Sequence, residues 1–334
     1  MKKFNVGILG ATGAVGREML KVLEERNFPI DELRLLASER SVGKKLSFKG
    51  REIEVRLAEE TAFKGLDIVL GATANDLAKR FAPHIVEAGA VFIDNSSAFR
   101  MNPDIPLVVP EINAEDAFNH KGIISNPNCS TIITFVAVNA INKLSKITAM
   151  NASTYQATSG AGAQGPVELN DQMTALVNGG EIKAEVFPYQ IASNLIPQIG
   201  SFLDNGYTTE EMKMQNEGRK IMHLPELNVT CTCVRVPVVR SHSISVTVVT
   251  EKKLSVEEVK EAIAKEKGCR LYDDGANKIY PMPLVTSDQD LVFVGRIRKS
   301  LVNENGITLW CCGDQVRKGA ATNAVQIAEL FLDK

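Results

Sequence analysis

The sequence predicts an α/β protein in which a doubly wound parallel sheet is joined to an α+β domain with a mostly antiparallel sheet. Three observations support this prediction. The first third of the chain alternates short apolar runs with amphipathic helical patterns, as βαβ units do. The later part is rich in strand patterns that often alternate apolar and polar residues. A length of 334 residues exceeds one ordinary hydrophobic core and favours two domains.

The predicted parallel sheet begins near the N-terminus. Residues 4–10 form an apolar strand pattern, residues 15–26 carry the apolar stripe of a helix, and residues 33–37 form the next strand pattern. A further helix is predicted at residues 77–88, and the remaining strand patterns of this series lie at 67–72, 90–94, 107–109 and 122–125. Right-handed crossovers are expected between these strands.

The predicted second domain begins with a long helix over Cys129–Leu144, and its strand patterns lie at 146–156, 229–236, 243–250, 291–299 and 307–312. A last helix at residues 314–333 has one apolar face, which favours a return to the first domain. We therefore assign residues 1–127 and the C-terminal helix 315–334 to the first domain, and residues 128–314 to the second.

Composition excludes several classes of function. Lys and Arg number 38 against 40 Asp and Glu, so a formal net charge of -2 gives no general attraction for nucleic acid or anionic membranes. No apolar run reaches the roughly 20 residues that span a bilayer, and no signal-peptide pattern is visible. The six cysteines form no C-x-x-C pair and the four histidines are scattered. We expect a cytoplasmic protein without a metal.

A glycine-rich segment, GILGATGAVG at residues 7–16, follows the first strand and opens the first helix. In this position backbone N–H groups and the helix dipole can hold a pyrophosphate, as in the Rossmann-like dinucleotide fold. The spacing G-x-x-G-x-x-G differs by one residue from the usual G-x-G-x-x-G, so a turn that binds nothing is the alternative. The residues expected to contact the cofactor here are Gly10, Thr12, Gly13, Ala14 and Val15.

In such folds, residues at the end of the second strand contact the adenosine ribose of the cofactor. Arg40 and the hydroxyls of Ser38 and Ser41 favour NADP, because a guanidinium pairs well with a 2′-phosphate. Glu39 keeps NAD open, and Arg40 as a solvated loop charge is the plain alternative.

Cys129 is the candidate nucleophile. It opens a helix, where unpaired N–H groups and the helix dipole favour the thiolate, and Asn128 is the more natural N-cap. A small buried residue is the alternative reading. A dinucleotide fold with one activated thiol predicts an aldehyde dehydrogenase or an acyl-phosphate reductase that works through a thioester.

The residues also carry a family resemblance. The motifs GATGAVG near the N-terminus, SSAFRM at 96–101, NPNCST at 126–131, YQATSGAG at 155–162, EEMKMQNE at 210–217 and RVPVVRSHS at 235–243 occur in order over nearly the whole chain. Together they resemble the bacterial type of aspartate-β-semialdehyde dehydrogenase. The resemblance implies NADPH-dependent reduction of L-4-aspartyl phosphate to L-aspartate-4-semialdehyde and phosphate, within lysine, threonine, methionine and isoleucine biosynthesis. It also implies a homodimer or homotetramer that pairs through the second domain.

The same resemblance implies roles for individual residues. Cys129 corresponds to the nucleophile, His242 to the general acid/base, and Gln156 to a residue that orients the substrate or the catalytic centre. The cofactor contacts implied are Ser159, Gly160 and Gln315, the last near the nicotinamide. The substrate contacts implied are Arg235 for the carboxylate, Arg100 and Lys213 for the phosphate, and Glu210 for the amine.

Residue chemistry supports some of these roles better than others. Arg235 lies among β-branched neighbours, where a charge needs a partner, and its planar fork suits a carboxylate. Glu210 and Lys213 read from sequence as a solvated i,i+3 ion pair on a polar helix. Two rival functions stay open: a relative that reduces another acyl phosphate, such as N-acetylglutamyl phosphate or a triose bisphosphate, and a catalytically silent NADP-binding sensor.

Overall fold

The computed structural model describes residues 2–332. Its strands, in chain order, are β1 (Phe4–Leu9), β2 (Ile30–Ala37), β3 (Lys45–Phe48), β4 (Arg51–Leu57), β5 (Ile68–Gly71), β6 (Val91–Asp94), β7 (Ile123–Ser125), β8 (Ile147–Gln156), β9 (Asn228–Arg235), β10 (His242–Thr250), β11 (Cys269–Leu271), β12 (Val292–Lys299) and β13 (Gly306–Gly313). Its α-helices are α1 (Ala14–Glu25), α2 (Asn75–Glu87), α3 (Pro110–Asn113), α4 (Cys129–Leu144), α5 (Gln164–Asn178), α6 (Thr209–Ile221), α7 (Val256–Lys265), α8 (Pro283–Thr286) and α9 (Thr322–Glu329).

The chain forms two compact units. The N-terminal unit comprises residues 2–128 and 320–332, and the central unit comprises residues 129–319. Residues 315–319, which the sequence analysis assigned to the first domain, therefore lie in the central unit. Residue 1 and the last two residues of the assigned C-terminal helix, 333 and 334, lie outside the described residues.

The N-terminal unit is a doubly wound sheet in the order β3-β4-β2-β1-β5-β6-β7. All neighbouring strands are parallel except the β3/β4 hairpin. Helices α1 and α9 contribute to one hydrophobic core of the sheet. Met19 and Leu23 of α1 and Val325 of α9 share this core with Leu35 of β2. Phe81 of α2 packs in a second core on Leu36 of β2. This arrangement confirms the predicted fold class of the first part.

The central unit is a six-stranded sheet in the order β11-β12-β13-β10-β8-β9. The pairs of β10 with β8 and β13, and of β12 with β13, are antiparallel, whereas β8/β9 and β11/β12 are parallel. Helix α4 packs on this sheet, and its residues from Ser130 to Ile141 are all buried. The prediction of an α+β region with a mostly antiparallel sheet is confirmed.

Two predicted elements differ from the structure. The helix predicted at 314–333 is shorter: a π-helical turn covers Arg317–Ala321 and continues directly into α9, which ends at Glu329. The Asp314 carboxylate accepts the N–H groups of Val316 and Arg317, as a side-chain cap at the start of a helical segment does. The strand at 107–109 is reduced to a single bridge from Leu107 to Ser125, since Pro110 starts α3 there.

The β3/β4 hairpin is an element that the sequence analysis did not predict. Most exposed positions in its four residue pairs carry charged side chains. These charges hide the alternation of apolar and polar residues that predicts a strand. Within residues 2–332, no helix has both the length and the apolar character needed to cross a membrane.

Candidate active site

The predicted nucleophile lies at the first residue of α4. Cys129 is half-buried, whereas the rest of the first turn is buried. Its Sγ lies 3.4 Å from Nε2 of His242, the first residue of β10. Cys129 was predicted from its place at a helix start and His242 from the family resemblance, and the structure brings the two side chains together although 113 positions separate them.

The protonation state of His242 follows from its other nitrogen. Nδ1 accepts the backbone N–H of Ala157 at 3.0 Å, so the proton of the neutral ring is on Nε2, facing Cys129. The ring is fully buried. Burial and the positive charge of Arg235 lower the pKa of His242 to about 3, although Glu210 raises it. At neutral pH the ring is therefore an uncharged N–H donor toward sulfur.

A second group of polar side chains is connected through Glu210. Thr154 donates to Gln156 Oε1 at 2.9 Å, and Gln156 Nε2 donates to Glu210 Oε1 at 3.2 Å. Lys213 Nζ donates to the other Glu210 oxygen at 2.9 Å. Helix α6 holds this group because Thr208 and Glu211 form a capping box at its N-terminus. Glu211 also accepts the N–H of Cys233, which joins α6 to β9.

Arg235 ends β9 and is 6% exposed. Its Nη1 donates to the carbonyl oxygen of Ala157 at 2.7 Å, and the ring of Phe187 lies 5.8 Å from its guanidinium carbon. Burial lowers the pKa of Arg235, and the nearby Cys129 and Glu210 raise it again. The buried cation thus lies close to both the thiol and the carboxylate, which offset its charge.

The turn after β8 completes this side of the site. A Cβ on Gly160 would lie 2.9 Å from Arg235 Nη1 and 3.2 Å from His242 Nε2, so a side chain would enter the space between them. Gln315 Nε2 donates to Ser159 Oγ, and Gln315 Oε1 accepts the N–H of Ser241 at 2.8 Å. The central unit therefore brings together nine of the predicted residues: Cys129, Gln156, Ser159, Gly160, Glu210, Lys213, Arg235, His242 and Gln315.

The glycine-rich loop of the N-terminal unit fits a dinucleotide. Gly10 has φ +89°, and a Cβ there would lie 2.4 Å from the carbonyl oxygen of Ala72. A Cβ on Gly16 would lie 2.3 Å from the Gly10 oxygen. Gly13 is the N-cap of α1 and offers no side-chain cap, and both Gly13 and Ala14 are exposed. The loop thus presents backbone N–H groups that a pyrophosphate can approach.

The other predicted residues of the N-terminal unit lie in two regions. Ser38 and Arg40 are exposed in the turn after β2, and Ser41 Oγ lies 3.2 Å from Thr12 Oγ1 of the glycine-rich loop. Val15 is half-buried in the first turn of α1. Arg100 is buried and donates to the carbonyl oxygens of Asn126 at 2.9 Å and Asn95 at 2.7 Å. The contact between Ser41 and Thr12 shows that the glycine-rich loop and the turn after β2 are adjacent.

Sequence reasoning missed three residues that lie near the thiol, the imidazole or Arg235. Ala157 acts through its backbone and Phe187 lies in irregular chain, so neither has a sequence signal. The third is Gly319, where a Cβ would lie 2.8 Å from the Cβ of Cys129. A glycine in the sequence RKGAA of an expected helix was the available signal, because glycine is unfavourable inside helices.

Comparisons with known proteins agree with this geometry. Residues 5–120 match the family model described as semialdehyde dehydrogenase, NAD binding domain, and residues 138–318 match semialdehyde dehydrogenase, dimerisation domain. An aspartate-semialdehyde dehydrogenase of Aquifex aeolicus (strain VF5) is 53% identical over 333 residues, covering 98% of each chain. The Bacillus subtilis (strain 168) aspartate-semialdehyde dehydrogenase is 48% identical over 333 residues, covering 97% of this chain and 96% of its own.

A solved structure gives the same result. The crystal structure of aspartate semialdehyde dehydrogenase II from Vibrio cholerae complexed with ASA superposes with a TM-score of 0.98 at 46% identity, covering 100% of this chain and 99% of its own. The first unit is accordingly a binding domain for a nicotinamide dinucleotide. By identity over the full length and by fold, this chain belongs to the aspartate-semialdehyde dehydrogenase family.

Proposed function

We propose that this chain uses NADPH to reduce L-4-aspartyl phosphate to L-aspartate-4-semialdehyde, releasing phosphate, through a thioester on Cys129. The observation that carries the proposal is the 3.4 Å contact between Cys129 Sγ and the Nε2 of a buried, neutral His242. The semialdehyde then enters the synthesis of lysine, threonine, methionine and isoleucine, as the family resemblance implies.

The first half of the reaction is acyl transfer to sulfur. The Cys129 thiolate attacks the acyl carbon, the C–S bond forms, and an electron pair moves to the carbonyl oxygen. When the carbonyl re-forms, the C–O bond to phosphate breaks and phosphate leaves with that electron pair. His242 offers the oxygen its Nε2–H, because Nδ1 is already occupied by the N–H of Ala157. We therefore propose that His242 stabilises the developing negative charge as a hydrogen-bond donor, which differs from the general acid/base role that the resemblance implies, because Nε2 already carries a proton.

The second half of the reaction reduces the thioester. When bound, the reduced nicotinamide supplies the hydride that turns the thioester carbon into the aldehyde carbon. His242 again donates its Nε2–H to the carbonyl oxygen while that oxygen carries charge. As the C–S bond breaks, the aldehyde carbonyl forms and the electron pair returns to Cys129 as thiolate.

The charges of the central unit suit an α-amino acid. Arg235 binds the substrate carboxylate with its planar fork, and Glu210 binds the amine. Gln156 orients the substrate through its hydrogen bond with Glu210. Lys213 and Arg100 bind the phosphate as cations. Lys213 bonds Glu210 at 2.9 Å, so phosphate binding would compete with this ion pair.

NADP is the proposed cofactor, held by the glycine-rich loop and the turn after β2. Gly10, Thr12, Gly13, Ala14 and Val15 would hold the pyrophosphate, and Ser159, Gly160 and Gln315 would contact the nicotinamide end. The exposed Arg40 guanidinium can pair with a 2′-phosphate, together with Ser38 and Ser41. The hydroxyl contact between Thr12 and Ser41 supports a common binding surface for both phosphates.

The central unit also supports self-association as a homodimer or homotetramer, since its family model is described as a dimerisation domain. The outward side of its sheet carries half-exposed rings, Tyr155 and Trp310, with centroids 5.3 Å apart. Flanking positions Ser245 and Thr247 are also partly exposed. A cytoplasmic enzyme is proposed because all six cysteines are free and the nucleophile must stay reduced.

The decisive experiment is phosphate-dependent reduction of NADP by the purified protein, followed by nicotinamide absorbance. L-Aspartate-4-semialdehyde is compared with N-acetylglutamate semialdehyde and glyceraldehyde 3-phosphate. Turnover of the first aldehyde only, dependent on phosphate, is the expected result. Turnover of another aldehyde would overturn the roles given to Arg235 and Glu210, and no turnover of any aldehyde would favour a silent binder.

A further inference from the structure

A stretch of irregular chain follows α5, and two buried side chains of that helix hold it. Glu168 and Gln172 lie one turn apart on α5 and are 8% and 1% exposed. The Glu168 carboxylate accepts the backbone N–H groups of Glu185, Val186 and Phe187. We refer to residues 183–192 as the tethered loop.

Gln172 holds the same loop at both ends. Its Oε1 accepts the N–H groups of Ile191 and Ala192 at 2.8 and 3.0 Å, and its Nε2 donates to the Lys183 carbonyl oxygen at 2.7 Å. Nε2 also lies 3.1 Å from Glu168 Oε1. Because a buried carboxylate and amide satisfy so many backbone groups, removing either side chain leaves several of them unpaired.

We call the hydrogen bonds from Glu168 and Gln172 to this loop the tether. The tether determines the position of Phe187, whose own N–H it holds. This side chain is 7% exposed and packs in a small core with Leu169, Ile191 and Ile196. A Cβ on Gly165 would lie 3.3 Å from the Phe187 Cζ, so the ring approaches the backbone of α5 closely. Helix, tether and ring therefore form one packed element.

The ring of Phe187 contacts Arg235, which the mechanism gives to the substrate carboxylate. The Arg235 carbon Cζ lies 5.8 Å from the ring centroid, within the range of a cation–π interaction. An aromatic ring and a carboxylate use different parts of a guanidinium, since carboxylate oxygens bond in its plane. Nη1 is also held by the Ala157 carbonyl.

We propose that Phe187, fixed by Glu168 and Gln172, is a positioning residue that orients the Arg235 guanidinium and so sets the selectivity for substrates with an α-carboxylate. The proposal rests on the proposed function, because it requires Arg235 to bind that carboxylate. A guanidinium free to turn would meet the carboxylate with one N–H group at a time rather than two.

The test compares two aldehydes. L-Aspartate-4-semialdehyde carries the carboxylate, and 3-aminopropanal is the same molecule without it. Phe187→Leu should lower the kcat/KM ratio between them by roughly three- to thirtyfold, through a higher KM for the semialdehyde, with kcat changed by less than about twofold. Phe202→Leu is the matched control, since Phe202 is an exposed phenylalanine of the same unit at 63% exposure, and it should change neither constant.

A second variant and a double-mutant cycle separate positioning from general damage. Glu168→Gln removes one charge from the tether and should shift the same ratio in the same direction. In an Arg235→Lys background, Phe187→Leu should have little further effect, because lysine has no planar fork to orient. Thermal melts and the alkylation rate of Cys129 verify that each variant is folded with its nucleophile intact.

Three results would overturn the proposal: equal losses for the two aldehydes, a fall in kcat with KM unchanged, or additive effects of Phe187→Leu and Arg235→Lys. Failure of the proposed function has a different signature. In that case the unmutated enzyme would not prefer the semialdehyde over 3-aminopropanal, and Arg235→Lys alone would leave the ratio unchanged.

Discussion

The catalytic cluster of the central unit and the glycine-rich loop of the N-terminal unit are built in opposite ways. In the cluster, buried and half-buried side chains bond one another: Cys129 contacts His242, and Gln156 donates to Glu210. In the loop, glycines leave backbone N–H groups uncovered by side chains, and the nearby Arg40 is exposed. Reacting groups are thus preorganised before substrate arrives, whereas cofactor contacts stay open for a ligand. We expect substitutions in the cluster to impair turnover or substrate binding, and those near the loop to impair cofactor binding.

The largest expected effect tests the cluster at its nucleophile. Cys129→Ser should lower kcat by at least about a thousandfold, because a serine hydroxyl in this position lacks a strong base to activate it. NADPH binding, measured by fluorescence titration, should stay within about twofold. Cys269→Ser is the matched control, since Cys269 is the other half-buried cysteine, and it should keep normal turnover. Near-normal turnover of Cys129→Ser would exclude the thioester mechanism.

Arg235→Lys comes next in size and tests whether the cluster discriminates between ligands. Loss of the bidentate geometry should raise the KM for L-aspartate-4-semialdehyde by roughly a hundredfold, or about 3 kcal/mol. The KM for NADP should change little. Arg270→Lys, at an exposed position of β11 in the same unit, serves as the control. Equal increases in both constants would show that Arg235 maintains the site in general rather than binding the carboxylate.

The sequence predicted the position of Cys129 at a helix start correctly because that signal is local. A strand-like run, Asn128 and an apolar helix together predict the start of α4 at Cys129, and α4 does begin there. Arg235 was also detectable, as a charge in an apolar strand. Glu210 and Lys213 were not, because an i,i+3 pair on a polar helix has the same pattern whether it faces solvent or a buried Gln156.

Other parts of the site depend on contacts between distant segments. The His242 tautomer is set by a backbone N–H 85 positions away, and backbone donors carry no residue signature. Phe187 lies in irregular chain without periodicity, so only the tether reveals its place. The later start of the last helical segment was missed because residues 314–333 keep an apolar stripe, while the Asp314 side chain caps the turn that precedes Arg317.

The loss of stability at acid pH should reflect the burial of His242, which lies at the centre of the cluster. Its pKa is about 3 in the folded protein against an ordinary value of 6.5, so the unfolded chain binds more protons between these values. The contribution of His242 to stability is therefore fully present above pH 6.5 and is lost progressively as the pH is lowered toward 3. At pH 5 this residue should cost about 2 kcal/mol relative to pH 7.

Urea unfolding of wild type and His242→Gln at pH 7 and pH 5 measures this cost. The glutamine variant should lose less stability than wild type over that interval, by the difference stated above. Identical losses in the two proteins would mean that the buried imidazole does not resist protonation, and the neutral N–H donor proposed for catalysis would fail with it.

The smallest expected effect tests the exposed cofactor contacts of the N-terminal unit. Arg40→Glu should raise the KM for NADPH by about tenfold, because an exposed guanidinium contributes a solvent-screened pair with the 2′-phosphate and the new carboxylate repels it. The KM for NADH and the alkylation rate of Cys129 should not change, since NADH lacks that phosphate. Arg51→Glu makes the same charge change at another exposed arginine of the N-terminal unit and should leave both cofactors unaffected. If Arg40→Glu impaired NADH equally or slowed alkylation of Cys129, the loop would be coupled to the catalytic cluster, and the separation between preorganised reacting groups and open cofactor contacts would not hold.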